Sequence, residues 1–82
     1  MEPSVRIYST PMCPFCQRAK LFLQERGVEF QEIDVAADRE KVAELMKVSG
    51  QRGVPVIVAG SEVVVGFDQA KLEEMFPKPG AA

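Results

Sequence analysis

The 82-residue sequence contains no histidine and only two cysteines, Cys13 and Cys16. A small secreted domain held together by disulfides carries more cysteines, spread along its chain. A bridge between Cys13 and Cys16 would close a very small loop and add little stability. Neither histidine nor a third cysteine is available as a further zinc ligand, so zinc would require a dimer or carboxylates in an unusual role. These absences favour redox chemistry as the explanation of the cysteine pair.

The sequence also lacks a long hydrophobic run and a strong excess of charge of one sign. The longest apolar runs, 54–59 and 63–65, are far shorter than the ~20 residues that span a bilayer. The formal net charge is -2, and no basic stripe with interleaved aromatic residues indicates nucleic-acid binding. No basic segment followed by an apolar one opens the chain, so no signal peptide is predicted and the cytoplasm is the expected compartment.

Length and composition predict one globular domain over residues 1–82. Hydrophobic residues make up 46% and charged residues 27% of the chain, a profile typical of folded rather than disordered proteins. A chain of this length supports one modest core. Residues 77–82 are expected to form a flexible tail, and the protein is expected to be a monomer.

Hydrophobic periodicity predicts the element order β-α-β-α-β-β-α. Strands are predicted at 5–9, 28–35, 56–58 and 63–65, and the last two form a hairpin around 59–61. Helices are predicted to begin near Cys13, Asp38 and Asp68, and glycines at 27 and 50 end the first two. Because a helix joins the first two strands, they should be parallel, whereas the last two should be antiparallel. The expected fold is α/β and thioredoxin-like: one four-stranded mixed sheet with helices on both faces.

Helical spacing assigns an inner face to each predicted helix. Arg18 and Lys20 are placed on the outer face of the first helix, and Tyr8 is expected to pack in or beside the sheet. The inner-face residues are Phe15, Cys16, Ala19, Phe22 and Leu23 in the first helix, Val42, Leu45, Met46 and Ser49 in the second, and Leu72, Met75 and Phe76 in the third.

The Cys13-Pro14-Phe15-Cys16 motif lies where the first strand gives way to the first helix. Pro14 fits the first helical position, where no N–H is needed, and it stiffens the turn between the cysteines. A thiolate at Cys13 would be stabilised by the unpaired N–H groups of the first turn and by the helix dipole. Cys16, one turn further in, is placed to attack a mixed disulfide formed at Cys13.

The motif therefore predicts a thiol–disulfide oxidoreductase in which Cys13 attacks and Cys16 resolves. Phe15 is interpreted as a contact for protein substrates, although it could instead turn inward as part of the core. Two inert buried cysteines, or half of a metal site, are the alternatives to this interpretation.

Pro55 opens an apolar strand, where a proline has no N–H for the sheet. On the residues alone, a simple strand start with a trans bond is favoured, because only about 5% of X–Pro bonds are cis. A cis Val54–Pro55 bond would instead expose the backbone of Val54 for strand-like pairing with a thiol substrate.

Three segments resemble the glutaredoxin family in its order and spacing, and the resemblance covers residues 5–76. They are 8–20, with the sequence Tyr-Ser-Thr-Pro-Met-Cys-Pro-Phe-Cys-Gln-Arg-Ala-Lys; 50–55, Gly-Gln-Arg-Gly-Val-Pro; and 65–68, Val-Gly-Phe-Asp. The resemblance is to the compact dithiol type with the thioredoxin fold. It implies a glutathione-linked disulfide reductase with glutathione as co-substrate, no tightly bound cofactor and no metal. It also implies that the bond before Pro55 is cis and that the backbone of Val54 pairs with the cysteinyl part of glutathione.

The resemblance further implies the other glutathione contacts. Gln51 and Arg52 match positions near the glycine carboxylate, and Gly66, Phe67 and Asp68 match the segment that holds the γ-glutamyl end. Exposed N–H groups at the helix start near Asp68 suit a carboxylate. The implied partners are disulfide-containing or glutathionylated proteins, together with glutathione or a flavoprotein reductase.

Three positions depart from the usual glutaredoxin pattern. Gly53 replaces the threonine of Thr-Val-Pro, Val65 replaces the first of two glycines, and residues 9–12 lack the lysine that many members carry. The missing lysine and Val65 favour an alternative partner: a small redoxin reduced by thioredoxin reductase rather than glutathione. A third interpretation, a module in which Cys13 holds an iron–sulfur cluster or zinc across a dimer, ranks lower because a proline after the first cysteine accompanies the redox role.

Overall fold

A computed structural model describes residues 5–76 of the chain. The strands are β1 (Val5–Ser9), β2 (Gln31–Asp34), β3 (Val56–Ala59) and β4 (Glu62–Val65), and the helices are α1 (Pro14–Glu25), α2 (Arg39–Ser49) and α3 (Gln69–Met75). The predicted order β-α-β-α-β-β-α is confirmed. The predicted tail at 77–82 lies outside the described residues. Over 5–76, no helix combines the length and the apolar character needed to cross a membrane.

The four strands form one mixed sheet in the order β2-β1-β3-β4. β1 is parallel to β2 and β3 is antiparallel to β4, as predicted, and β1 is antiparallel to β3. Ile7 in the central strand β1 lies opposite Glu32 on one side and Ile57 on the other. The strand that leads to the cysteine motif is therefore held between neighbours on both sides.

Helices cover both faces of the sheet, as predicted. The face under α1 and α3 carries one buried cluster, and the face under α2 carries a second. The first cluster consists of Val5, Ile7, Ala19, Phe22, Leu23, Ile57, Val64 and Leu72. The second consists of Tyr8, Ile33, Val35, Leu45, Val56 and Val58. Because side chains alternate along a strand, Ile7 and Tyr8 supply opposite clusters.

The predicted helix starts are confirmed by their capping hydrogen bonds. A side-chain oxygen of Asp38 accepts the N–H of Glu40 at 2.9 Å, and a side-chain oxygen of Asp68 accepts the N–H of Lys71 at 3.2 Å. Each bond pairs an N–H group that the helix itself leaves without a partner. Gly50 ends α2 in a left-handed conformation with φ 75°, as expected of a C-terminal glycine.

Two boundary and packing predictions are wrong. The second strand spans only Gln31–Asp34 rather than 28–35, because Val28 instead donates its N–H to the carbonyl of Leu23 at the end of α1, at 2.9 Å. Met46 is exposed, whereas Val48 packs against the second cluster. On a helix, Val48 lies about 60° from the buried Leu45 and Met46 about 100°, which turns Met46 away from the sheet.

Candidate active site

Cys13 is the N-cap residue of α1, with an extended backbone at φ -99° and ψ 112°. Its Sγ accepts the backbone N–H of Cys16 at 3.2 Å, and the side chain is half-buried. An N-cap side chain normally supplies an oxygen to the first turn, and here a sulfur takes that place. The predicted junction therefore aims a helix N–H at the sulfur of Cys13.

Cys16 lies on the inner face of α1 and is fully buried, and both cysteines are free thiols. Burial, followed by the hydrogen bond with Cys13, raises the pKa of Cys16 to about 12. Burial has this effect because it disfavours the charged thiolate. At neutral pH Cys16 is consequently a protonated, inaccessible thiol, and the two cysteines differ sharply in their readiness to react.

The segment Val54–Pro55 lies opposite Cys13. The peptide bond between these two residues is cis, as the glutaredoxin resemblance implies and against the trans bond that the residues alone favour. Pro55 is buried and Val54 is half-buried. The thiol of Cys13 donates to the carbonyl oxygen of Val54 at 3.9 Å, across 41 positions of sequence. The fold thus brings the backbone of Val54 beside the more exposed sulfur.

Gly66 connects the last strand to this segment. Its N–H donates to the carbonyl of Pro55 at 2.8 Å, and its φ of 78° is a conformation that glycine adopts without a steric penalty. Phe67 is half-buried and packs edge-to-face on Phe22, with 6.3 Å between ring centroids. Asp68 is exposed and caps α3. The fold therefore brings 66–68 beside the Val54–Pro55 segment.

The side chains of Gln51 and Arg52 contact residues close to them in sequence. The side-chain amide of Gln51 donates to the carbonyl of Gly53 at 2.9 Å and accepts the N–H of Gly53. A Cβ at position 53 would lie 2.5 Å from that amide oxygen, so glycine allows the amide to fold back where a threonine would not. Arg52 is exposed, and its Nε contacts the sulfur of Met46 at 3.4 Å.

Phe15 points outward, so its assignment to the inner face of α1 is wrong. Its side chain is 55% exposed, with the guanidinium of Arg18 5.5 Å from the ring centroid. Phe15 shares its angular position on α1 with Phe22, but Phe67 covers only Phe22. Met12, 89% exposed, lies on the other side of Cys13 in sequence, so exposed apolar side chains flank this cysteine.

Two polar pairs in the structure were not predicted from the sequence. Lys20 does not lie on the outer face, because its Nζ is 2.8 Å from Oε2 of Glu32 and its side chain is only 14% exposed. The spacing of four residues from Cys16 is the signal that places Lys20 on the inner side. On the opposite face of the sheet, the hydroxyl of the buried Tyr8 donates to Glu44 at 2.8 Å, and burial together with this bond raises the pKa of Tyr8. Over residues 5–76, no three His, Cys, Asp or Glu side chains are grouped closely enough to hold a metal ion.

A partly accessible thiol at a helix start, with a buried partner thiol and a neighbouring backbone carbonyl, is the arrangement of the thioredoxin-fold oxidoreductases. The model of the Glutaredoxin family matches residues 5–64. Glutaredoxin from Pseudomonas aeruginosa is 47% identical over 66 residues, which cover 80% of this chain and 79% of the relative. The chain belongs to the glutaredoxin family and is a thiol–disulfide oxidoreductase.

Solved structures agree with this assignment. Glutaredoxin (grx-1) from Archaeoglobus fulgidus superposes with a TM-score of 0.85 at 30% identity, covering 92% of this chain and 87% of that one. The glutaredoxin-like NrdH-redoxin from Escherichia coli, which has a thioredoxin-like activity profile, superposes with a TM-score of 0.77 at 31% identity, covering 92% and 97%. Both the glutaredoxin and the redoxin thus share the fold of nearly the whole chain.

Proposed function

We propose that this protein reduces protein disulfides or glutathione mixed disulfides, with Cys13 as the attacking thiol and Cys16 as the resolving thiol. The asymmetry between the two thiols carries the proposal. Cys13 is accessible and receives a helix N–H, whereas Cys16 is fully buried and protonated at neutral pH. A thiolate is the nucleophile in disulfide exchange, so the more exposed and better stabilised sulfur attacks first.

The proposed cycle transfers two electrons to the substrate. The thiolate of Cys13 attacks a substrate sulfur, which forms a mixed disulfide and releases the other substrate sulfur as a thiolate. Cys16 then loses its proton and attacks Sγ of Cys13, which releases the remaining substrate sulfur and leaves a Cys13–Cys16 disulfide. Two glutathione molecules, or a flavoprotein reductase, restore the dithiol. Pro14 supports the cycle by holding the first turn, where it occupies the first helical position.

Substrate contacts are proposed on both sides of Cys13. Val54 offers its backbone to the substrate, because its carbonyl already lies within reach of the Cys13 thiol, and Pro55 supports it. Phe15 offers an exposed ring to protein substrates. For glutathione itself, the family resemblance supports a site formed by Gln51, Arg52, Val54, Gly66, Phe67 and Asp68.

A second candidate is a redoxin reduced by thioredoxin reductase. The side-chain amide of Gln51 and the N–H of Gly66 are both engaged in hydrogen bonds within the protein. Val65, half-exposed at the edge of the proposed groove, is larger than the glycine usual in the family. The similarity to NrdH-redoxin, which has a thioredoxin-like activity profile, also supports this second candidate.

Steady-state reduction with two purified reductant systems tests these proposals. With glutathione and glutathione reductase, the protein is expected to reduce a glutathionylated peptide, and Cys13→Ser is expected to remove that activity. Cys16→Ser separates a monothiol cycle, which it leaves partly active, from an obligatory dithiol cycle, which it stops. Turnover with thioredoxin reductase but none with glutathione would replace the first candidate by the second. Turnover with neither system would refute both.

We further propose that the chain acts as a single-domain monomer in the cytoplasm. Two free thiols suit that reducing compartment. Sedimentation of the reduced protein should give one 9.0 kDa species. A coloured or metal-containing dimer would instead support the cluster-binding interpretation.

A further inference from the structure

A small polar cluster lies between α1 and β2, about one helical turn along α1 from Cys16. It consists of Lys20, Glu32 and Ser9, and we refer to it as the back cluster. The ammonium of Lys20 is 2.8 Å from Oε2 of Glu32, and the hydroxyl of Ser9 donates to the same oxygen at 3.5 Å. Ser9 is almost fully buried and the Lys20 side chain is 14% exposed, whereas Glu32, at the outer side of the cluster, is 48% exposed.

Strand register and helical spacing place the back cluster on the same side of α1 as Cys16. Glu32 lies opposite Ile7 in the parallel β1–β2 pair, and Ile7 packs in the cluster under α1, so Glu32 faces α1 as well. Lys20 follows Cys16 by four residues, and residues at that spacing share one face of a helix. Side chains on a helix lean toward its N-terminus, which carries the ammonium of Lys20 back toward the turn that holds Cys16.

We propose that Lys20 is a positioning residue for the resolving step, in which its ammonium, held by Glu32, favours the thiolate of Cys16. The inference rests on the dithiol cycle proposed above. In this step the proton of Cys16 leaves to a base in solution, and Sγ of Cys16 forms a bond to Sγ of Cys13. The bond between Cys13 and the substrate sulfur breaks, and the substrate leaves as a thiolate.

The mixed disulfide is the state in which the charge of Lys20 matters most. In the free dithiol, burial and both effects of Cys13, its hydrogen bond and its charge, raise the pKa of Cys16, whereas the Thr10 backbone and Lys20 lower it. Once the sulfur of Cys13 is in a disulfide, it carries neither proton nor charge, so both of its effects disappear. Burial then opposes the thiolate, and the Thr10 backbone and Lys20 favour it.

The other charged groups near α1 and β2 weaken the influence of Lys20 on the Cys16 thiolate but do not reverse it. Glu32, from β2, contacts the same ammonium and offsets part of its charge. Tyr8 and Glu44 pair on the opposite face of the sheet, under α2. Lys20 is therefore the cation that acts on Cys16 among the residues described.

A purely structural role for Lys20 is the competing explanation, and a matched ion pair is available as its control. Lys71 in α3 lies 3.5 Å from Glu62 in β4, with side-chain exposures of 42% and 56%. This pair also joins a helix to an edge strand, but it lies on a different helix from the cysteines. Lys20→Met and Lys71→Met each replace the lysine by an uncharged side chain of similar length, so each removes one positive charge.

Both chemical steps are measured in a single stopped-flow reaction with dithiobis-nitrobenzoate, an aromatic disulfide whose released thiolate absorbs visible light. Attack by Cys13 releases the first coloured thiolate, and attack by Cys16 releases the second. Cys16→Ser identifies the first phase because it lacks the second. The rate of the second phase is followed as a function of pH in the wild type and in Lys20→Met, Lys20→Arg and Lys71→Met.

We expect Lys20→Met to slow the second phase at pH 7 by about three- to tenfold and to displace its pH profile upward by about half to one unit, since one unit corresponds to tenfold. Lys20→Arg should restore both, and Lys71→Met should match the wild type. An unchanged pH profile in Lys20→Met, or equal slowing of both phases, would overturn the role of Lys20 alone. Absence of the first phase in the wild type would instead overturn the proposed function.

Discussion

The site has a thiol half, residues 13–16 at the start of α1, and a pairing half, residues 51–55 and 66–68. In the thiol half, the helix directs a backbone N–H at the sulfur of Cys13. In the pairing half, polar groups bond to one another: Gln51 to Gly53, and Gly66 to Pro55. In the proposed cycle the thiol half carries out the disulfide exchange, and the internal hydrogen bonds of the pairing half would have to open before the groups they engage could bind glutathione.

The largest expected effect is selective alkylation within the thiol half. Because burial raises its pKa to about 12, Cys16 is almost entirely protonated at pH 7. Iodoacetamide should therefore label Cys13 at least about a hundredfold faster than Cys16, as measured by mass spectrometry of the digested protein. Unfolding in urea should remove the difference, because it exposes both thiols. Equal labelling in the native protein would contradict the asymmetry on which the cycle rests.

The same property of Cys16 predicts how stability depends on pH. Because its folded-state pKa lies above the value of an unfolded thiol, the native state retains a proton that the unfolded state loses. Stability present below about pH 9 is thus lost as the pH rises toward 12, by about 1.4 kcal/mol per pH unit.

Urea denaturation of the reduced protein and of Cys16→Ala measures this slope. Both proteins retain Tyr8, whose raised pKa acts in the same direction, so their difference isolates Cys16. The variant should be shifted by a constant amount for its lost packing, and it should lack the extra alkaline slope. Parallel curves above pH 9 would show that Cys16 ionises like an unfolded thiol.

Gly66→Ala probes the connection between the last strand and the Val54–Pro55 segment. A Cβ at Gly66 meets no atom within 4 Å, so the cost comes from the left-handed backbone at φ 78° and is about 1 kcal/mol. Calorimetry should show a melting temperature about 4–8 °C lower. The KM for a glutathionylated peptide should rise, because the Gly66–Pro55 hydrogen bond holds the pairing half together.

Gly60→Ala is the matched control for that change. Gly60 has φ 61° and equally open surroundings, but it lies in the β3–β4 turn, away from the thiols. Its substitution should lower stability by a similar amount and leave KM unchanged. A similar rise of KM in both variants would assign the effect to general loosening of the fold.

The smallest expected effect comes from releasing the Gln51 amide from its hydrogen bonds to Gly53 in the pairing half. Gly53→Thr introduces the usual family residue and forces the Gln51 amide away, because a Cβ there would collide with the amide oxygen. The released amide becomes available to a carboxylate, so KM for the glutathionylated peptide should fall about two- to threefold at a stability cost of about 1 kcal/mol. Gly53→Ala separates displacement of the amide from any effect of the hydroxyl. A KM that does not fall in either variant would show that the Gln51–Gly53 contact does not limit glutathione binding.

Predictions of helix ends based on capping rules agree with the structure. Cap residues at 13, 38 and 68 and the glycine at 50 set helix ends through bonds to their immediate neighbours, so their signals are visible in the sequence. The predicted inner faces were wrong where no neighbouring element covers the helix, as at Phe15. Phe15 and Phe22 occupy equivalent positions on one helix, and only contact with Phe67 distinguishes the exposed ring from the buried one.

By itself the sequence determined the order of the elements and the place of the dithiol, because strand alternation, helical spacing and capping act over a few residues. The residues that surround the dithiol, in contrast, depend on how the elements pack together. Packing places the carbonyl of Val54 beside Cys13 and buries Cys16. It also pairs Lys20 with Glu32 and allows the amide of Gln51 to bond to Gly53. Each of these outcomes depends on which surfaces are covered and which polar groups find partners, and those contacts exist only once the sheet and its helices have assembled.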